Sequence, residues 1–328
     1  MPKLTQSQLD RFTNEGFLLI EKLPGMSEKM QVLELEFANV LDSLVVELLE
    51  KKELKQSYSD LPFGERITAI IKETGKTYSS HFDFSLPQKG IKHDTPMWHG
   101  PAVFDILTHD PLLDVVESIM GDEIYSNPVQ HVRIKPPEDQ LPVNPITGEK
   151  YWGSLVSQTP WHQDTGVINE TADDSNILTV WTPVWDAPIE SGCLQVKPQS
   201  HNFGLYQHCP SPTSGAGIPE QILNTNTAIP VPMKRGSVLL INKLTAHASL
   251  PNMSNHVRWS LDLRYNPIGE PTGRESFPGF VVRSTKNPSA ILTDPVAWSD
   301  LWKDTRTRLA LEQDPSYNRW DADDPMCA

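Results

Sequence analysis

The sequence predicts a mainly β core, an antiparallel sandwich or barrel, with helices flanking it. Three features carry that expectation: a helical first third, a switch at Ile124 to short β runs broken by Pro, Gly and Asn, and a helix signature close to the C-terminus. In order, a short helix at Ser7–Glu15 is closed by Gly16 and followed by the strand-like run Phe17–Ile20. Ser27 is positioned to cap a long helix reaching Leu54, in which Leu33, Phe37, Leu41, Leu44 and Leu48 recur at three- and four-residue steps and form one stripe. A helix at Phe63–Thr74 stops at Gly75, and Asp110-Pro111 through Met120-Gly121 has a cap, a first-turn Pro and a terminal Gly.

The expected strands are Val129–Ile134, Ile177–Trp185, Leu194–Lys197, Ser237–Asn242, Ala246–Leu250 and Val257–Tyr265. Between them run two long Pro- and Gly-rich loops, Pro136–Pro160 and Asn202–Pro230, of the length that lids and binding loops have. Asp294-Pro295 opens a last helix carrying Trp298, Leu301, Trp302, Thr305 and Leu309 on one side, expected to pack outside the sheet.

Composition removes several function classes. The 328 residues carry Lys+Arg 28 against Asp+Glu 42, a net charge of −14, which argues against nucleic acid or an anionic membrane as the main partner. Apolar runs are strand-sized, far below the ~20 residues of a membrane helix, and no signal-peptide pattern opens the chain. Three scattered cysteines, Cys193, Cys209 and Cys327, suggest thiols in a reducing compartment, hence a cytoplasmic protein.

The chemistry centres on Trp161-His162-Gln163-Asp164. Residues two apart on an extended strand point the same way, so His162 and Asp164 can converge. An imidazole and a carboxylate are two of the three ligands of the facial triad that binds Fe(II) and leaves open positions. Alone, His-X-Asp is a weak signal. A second histidine, His247, follows the apolar strand Ser237–Asn242, and eleven residues later comes Arg258 in a strand that alternates cleanly. There Val257, Trp259, Leu261, Leu263 and Tyr265 face one side, while Arg258, Ser260, Asp262 and Arg264 face the other. That polar face is either a solvated surface or the lining of a cavity, in which Arg258 can pair bidentately with a carboxylate.

Taken with Lys135-Pro136-Pro137, Trp181, the run Ser191 to His201, Lys234-Arg235-Gly236-Ser237 and His247-Ala248-Ser249, these motifs resemble the phytanoyl-CoA dioxygenase family of Fe(II)/2-oxoglutarate-dependent oxygenases, over roughly Gln130–Asn266. The chain departs from the family pattern at Pro198-Gln199-Ser200-His201, where Pro-Gly-Ser-His is frequent. The resemblance implies a double-stranded β-helix (a cupin-like jelly roll) with helices packed outside it. No stretch reads as an interdomain linker, so one domain is expected over residues 1–328: a mostly helical part at 1–123, the jelly-roll core at 124–270 and the C-terminal helix at 290–312. It further implies that His162, Asp164 and His247 hold Fe(II), and that Arg258 binds the distal carboxylate of 2-oxoglutarate with Ser249 or Ser260 as hydroxyl partner. The implied activity couples decarboxylation of 2-oxoglutarate, with O2, to hydroxylation of an unactivated C–H bond, releasing succinate and CO2.

Gln130 is a further candidate for the co-substrate. Trp152, Trp181, His99 (with His93 and Trp98) and Arg264 are candidates for a small-molecule substrate, and Arg133, Arg264 and Lys150 are candidate anion partners or else surface charges and internal ion pairs. Desaturation or cyclisation at the same iron, a non-catalytic jelly-roll binding protein, and a zinc hydrolase are the competing readings. Oligomeric state and substrate identity are not legible.

Overall fold

The computed structural model describes residues 3–141, 143, 158–211, 215–312 and 319–327. Its helices are α1 (Gln6–Glu15), α2 (Met26–Glu50), α3 (Phe63–Thr74), α4 (Pro101–Leu107), α5 (Asp110–Met120) and α6 (Pro295–Leu309). Its strands are β1 (Phe17–Ile20), β2 (Ile124–Ser126), β3 (His131–Lys135), β4 (Leu178–Pro183), β5 (Leu194–Val196), β6 (Cys209–Ser211), β7 (Gly215–Gly217), β8 (Ile229–Val231), β9 (Val238–Asn242), β10 (His247–Ser249), β11 (Arg258–Pro267) and β12 (Phe280–Arg283).

Local chemistry explains the helix ends. Thr5 and Gln8 close a reciprocal capping box on α1, and Gly16 ends it at φ 81°. In α2 the expected boundaries shift. Gly25, in a left-handed conformation, occupies the cap position, so Ser27 lies inside the first turn. The helix ends at Glu50, four residues before Leu54, because Lys52 turns left-handed and the N–H groups of Glu53 and Leu54 bond back to Leu48 O. Short α4 and strands β2, β6, β7, β8 and β12 were not foreseen; each is too brief to show a period.

Every strand pair is antiparallel. The large sheet runs β1-β9-β4-β11-β2-β12, with β3 also on β11, and the small sheet runs β10-β5-β8. Strand alternation then sorts side chains into two cores. Outward residues Val132, Ile134, Val180, Leu240, Trp259, Leu261 and Leu263 pack with the helices in one continuous cluster. There Trp259 stacks on Phe37 and Phe63, at ring distances of 5.2 and 4.7 Å. Inward residues Phe17, Trp181, Leu239 and Ile241 meet Leu194, Val196 and Val231 of the small sheet. Two antiparallel sheets closed around an inner core are the expected jelly roll. In α6, Trp298, Trp302, Thr305 and Leu309 are buried as foreseen, while Leu301 is exposed.

The reading of three free thiols is corrected. Cys209 and Cys327 are disulfide-bonded across 118 residues of sequence, leaving Cys193 as the buried free thiol. The C-terminal segment folds back beside β6, a proximity no spacing reveals, so the cysteine argument for a reducing compartment lapses. Among the described residues no helix is long and apolar enough to cross a membrane.

Candidate metal centre

His162 and His247 face each other across an isolated antiparallel bridge, each backbone N–H donating to the other's carbonyl at 2.9 Å. Directly after it, Asp164 opens a short 3₁₀ turn. The two-residue convergence expected of an extended strand is therefore achieved by a bridge and a turn. The three side chains are buried, and their ligand atoms lie within 4.8 Å of one another.

The donor chemistry fits a cation. Nδ1 of His162 lies 2.9 Å from Pro160 O, and Nδ1 of His247 lies 2.9 Å from Thr245 O. A carbonyl only accepts, so each Nδ1 carries the proton and each Nε2 keeps its lone pair for a metal. Burial, then His247, pushes the His162 imidazole well below its ordinary range, which keeps it the neutral ligand a metal requires. Burial raises the Asp164 carboxyl, but Arg264 and the two histidines outweigh it and hold the group below the usual carboxylate range. One Asp164 oxygen accepts from Thr179 Oγ1 at 2.5 Å and the other from Arg264 Nη2.

Arg258 lies on the inner face of β11, 1% exposed, with its guanidinium 5.6 Å from the Trp181 ring. Nη1 donates to Ser260 Oγ at 2.5 Å, while Nε and Nη2 have no acceptor among the described residues. Burial pulls its pKa down to about 9. A buried guanidinium short of an anion has the chemistry to accept a carboxylate. An inner cavity of about 20 Å³ joins it to the metal residues, its wall including Arg258, Trp181, Thr159, His162 and His247. A wider cavity of about 440 Å³ opens on His162 and is lined by His131, Arg133, Arg274, Thr159 and Val167, with Pro210, Gly215 and Ala216 from the second long loop. A further cavity of about 1070 Å³ lies elsewhere, against α3, Trp185 and His256, and its lining includes none of His162, Asp164 and His247.

Other candidates are engaged by groups of their own, Arg264 and Arg133 within this centre and Gln130 and His99 away from it. Gln130 Nε2 is bonded to Ser126 Oγ, Asn127 O and Arg264 O, where it braces the turn before β3. His99 lines neither cavity beside the metal residues: it bonds Phe84 O and packs on Trp298 and Trp302, with burial pulling its pKa down to about 3. Its companions also serve elsewhere, Trp98 donating to Glu36 and His93 lying exposed. Arg264 is engaged by Asp164 and Val129 O, which makes it a brace for the carboxylate. Arg133 pairs with Asp262. Ser249 accepts from Lys135 and from Thr159 N, and neither Ser249 nor Ser260 lines the inner cavity. Trp152 and Lys150, with most of the first long loop, lie outside the described residues.

Thr179, Lys135 and the His131–Asp83 pair (2.9 Å) were not foreseen as site residues. The available signal was alternation: His131, Arg133 and Lys135 interleave with Val132 and Ile134 just as the polar residues of β11 do with its apolar ones.

A family model described as phytanoyl-CoA dioxygenase matches residues 36–260. Phytanoyl-CoA dioxygenase domain-containing protein 1 of Rattus norvegicus is 24% identical over 275 residues, covering 79% of this chain and 88% of that one. The 1-deoxypentalenic acid 11-beta-hydroxylase of Streptomyces exfoliatus is 26% identical over 185 residues, 52% of this chain and 58% of that one. Among solved structures, the apo form of the non-heme monooxygenase ThoJ aligns with a TM-score of 0.55 at 18% identity, covering 92% of this chain and 98% of that chain, a likeness of fold.

Proposed function

The chain belongs to the phytanoyl-CoA dioxygenase family of Fe(II)/2-oxoglutarate-dependent oxygenases, and on that premise we propose that it hydroxylates an unactivated C–H bond of a small-molecule substrate. The observation that carries this reading is the convergence of His162, Asp164 and His247 beside Arg258, a buried cation with no anion of its own. Iron held by these three residues, together with 2-oxoglutarate and O2, supplies the oxidising chemistry, with succinate and CO2 released.

The chain's own residues do the rest. Carbonyls of Pro160 and Thr245 hold both imidazoles in the ligating tautomer. Thr179 and Arg264 keep Asp164 ionised and oriented. Arg258 takes the distal carboxylate of 2-oxoglutarate as a charge-assisted pair. The wider cavity of about 440 Å³ beside His162 suits a small molecule, whose bulk excludes water from the reacting carbon. Two relatives are named as hydroxylases of 1-deoxypentalenic acid, which supports a small organic substrate.

Asp164 also bears on reaction type: its carboxylate fills the position that iron halogenases leave vacant for a halide. The test is turnover under 18O2 with excess chloride, after a metabolite screen scored by succinate release. An 18O-labelled alcohol without chlorinated product is expected. A chlorinated product, or an unsaturated or cyclised one lacking new oxygen, removes hydroxylation as the outcome.

A further inference from the structure

Strands β3 and β11 place Lys135 directly opposite Arg258 in register, on the inner face of the large sheet. Both are buried, at 2% and 1% exposure. The other two cations flanking them on this face are each matched by an acid, Arg133 by Asp262 and Arg264 by Asp164. Lys135 and Arg258 are not: among the described residues, Lys135 meets only hydroxyls, Thr159 Oγ1 at 2.9 Å and Ser249 Oγ at 2.7 Å. Two unmatched like charges set opposite each other in a sheet repel, and burial deprives them of water. Burial, then Arg258 and Arg133, holds Lys135 well below a lysine's ordinary range, with Asp262 and Glu138 opposing. An anion bound between the two groups would relieve both costs.

We propose that Lys135 is a second positioning residue for the distal carboxylate of 2-oxoglutarate, acting beside Arg258 through the Thr159 hydroxyl, with Ser249 holding the ammonium in place. The inference rests on the 2-oxoglutarate reading above. By donating to the Thr159 hydroxyl, Lys135 leaves that hydroxyl's own proton to be donated onward, and Thr159 lines the inner cavity that Arg258 shares. Its ammonium adds the second positive charge that the arriving dianion neutralises. Ser249, which shares this network, is then part of the anchor through Lys135.

The experiment compares two ketoacids on the anaerobic Fe(II)-loaded protein, reading binding from the visible charge-transfer absorption. The first is 2-oxoglutarate. The second is 2-oxobutanoate, which keeps the chelating end and lacks the distal carboxylate. Lys135→Met should weaken 2-oxoglutarate binding at least tenfold, leave 2-oxobutanoate within twofold of wild type, and leave Fe(II) affinity unchanged. Lys135→Arg should restore part of the loss. Equal weakening of both ketoacids, or none, overturns the inference while leaving the oxygenase reading intact. If wild-type protein binds no 2-oxoglutarate, both readings fall. Should Lys135→Met fail to fold, Ser249→Ala cuts the same network: selective weakening supports the proposal and unchanged binding overturns it.

Discussion

The two faces of β11 are equally buried and held by opposite physics. Outward, Trp259, Leu261, Leu263 and Tyr265 pack against helices, and each apolar area removed from water stabilises the fold. Inward, Arg258, Ser260, Asp262 and Arg264 occupy the same depth with charges that cost free energy unless matched. On this inner face Arg133 and Arg264 are matched by acids, while Arg258 has no carboxylate partner among the described residues. The outer face is therefore where stability resides, and the inner face is where it is given up, on the proposed function, for a ligand.

Removing the metal residues has the largest expected effect. His162→Ala and His247→Ala should abolish Fe(II)-dependent succinate release while melting close to wild type. Asp164→Ala should do the same and also leave Arg264 buried without its partner, costing about 3–5 kcal/mol of stability. Activity retained in any of the three variants, or an Asp164→Ala protein as stable as the histidine variants, breaks the assignment at that position.

The paired substitutions Trp259→Ala and Arg258→Met test the comparison directly. The first should cost about 3–5 kcal/mol by denaturant titration, as the aromatic cluster with Phe37 and Phe63 loses its centre. The second removes an unmatched charge, so stability should hold or rise. Its cost appears in 2-oxoglutarate affinity, about tenfold to a hundredfold, the range of a charge-assisted bond worth about 1.5–3 kcal/mol. Arg258→Lys should recover only part, since an ammonium lacks the planar fork. An Arg258→Met protein that is destabilised yet binds 2-oxoglutarate normally would reverse the roles of the two faces.

Acidification probes the helical shell. The folded pKa of His99 is lowered to about 3 by burial, below the unfolded value, so the unfolded chain takes the proton first. Its contribution is complete above pH 6.5 and is lost as pH falls towards 3, at about 1.4 kcal/mol per pH unit. His99→Phe should flatten the dependence of Tm on pH across that window. An unchanged slope would show that His99 is not held neutral against Trp298 and Trp302.

The smallest effect belongs to a turn. Gln199 adopts φ 64°, a left-handed conformation that glycine enters without penalty, at the position where the family frequently has Gly. Gln199→Gly should therefore be neutral to stabilising, by at most about 1 kcal/mol, with ketoacid binding unchanged. Destabilisation would mean that the side chain holds the turn.

What was legible in the sequence follows from periodicity. Alternation in Val257–Tyr265 announced one apolar and one polar face, and Gly16, Gly75 and Gly121 marked helix ends because few other residues enter the terminating turn freely. His162, Asp164, His247 and Arg258 were legible as a set because their order and spacing repeat a family pattern. Tertiary structure decided what period and spacing cannot encode. Polar residues on an alternating strand read alike whether they face water or a closed barrel; only the second sheet buries those of β11. Proximity across long separations made Arg264 a brace for Asp164, joined Cys209 to Cys327, and set Lys135 opposite Arg258. Each of those pairings depends on chain closure that no local window of residues contains.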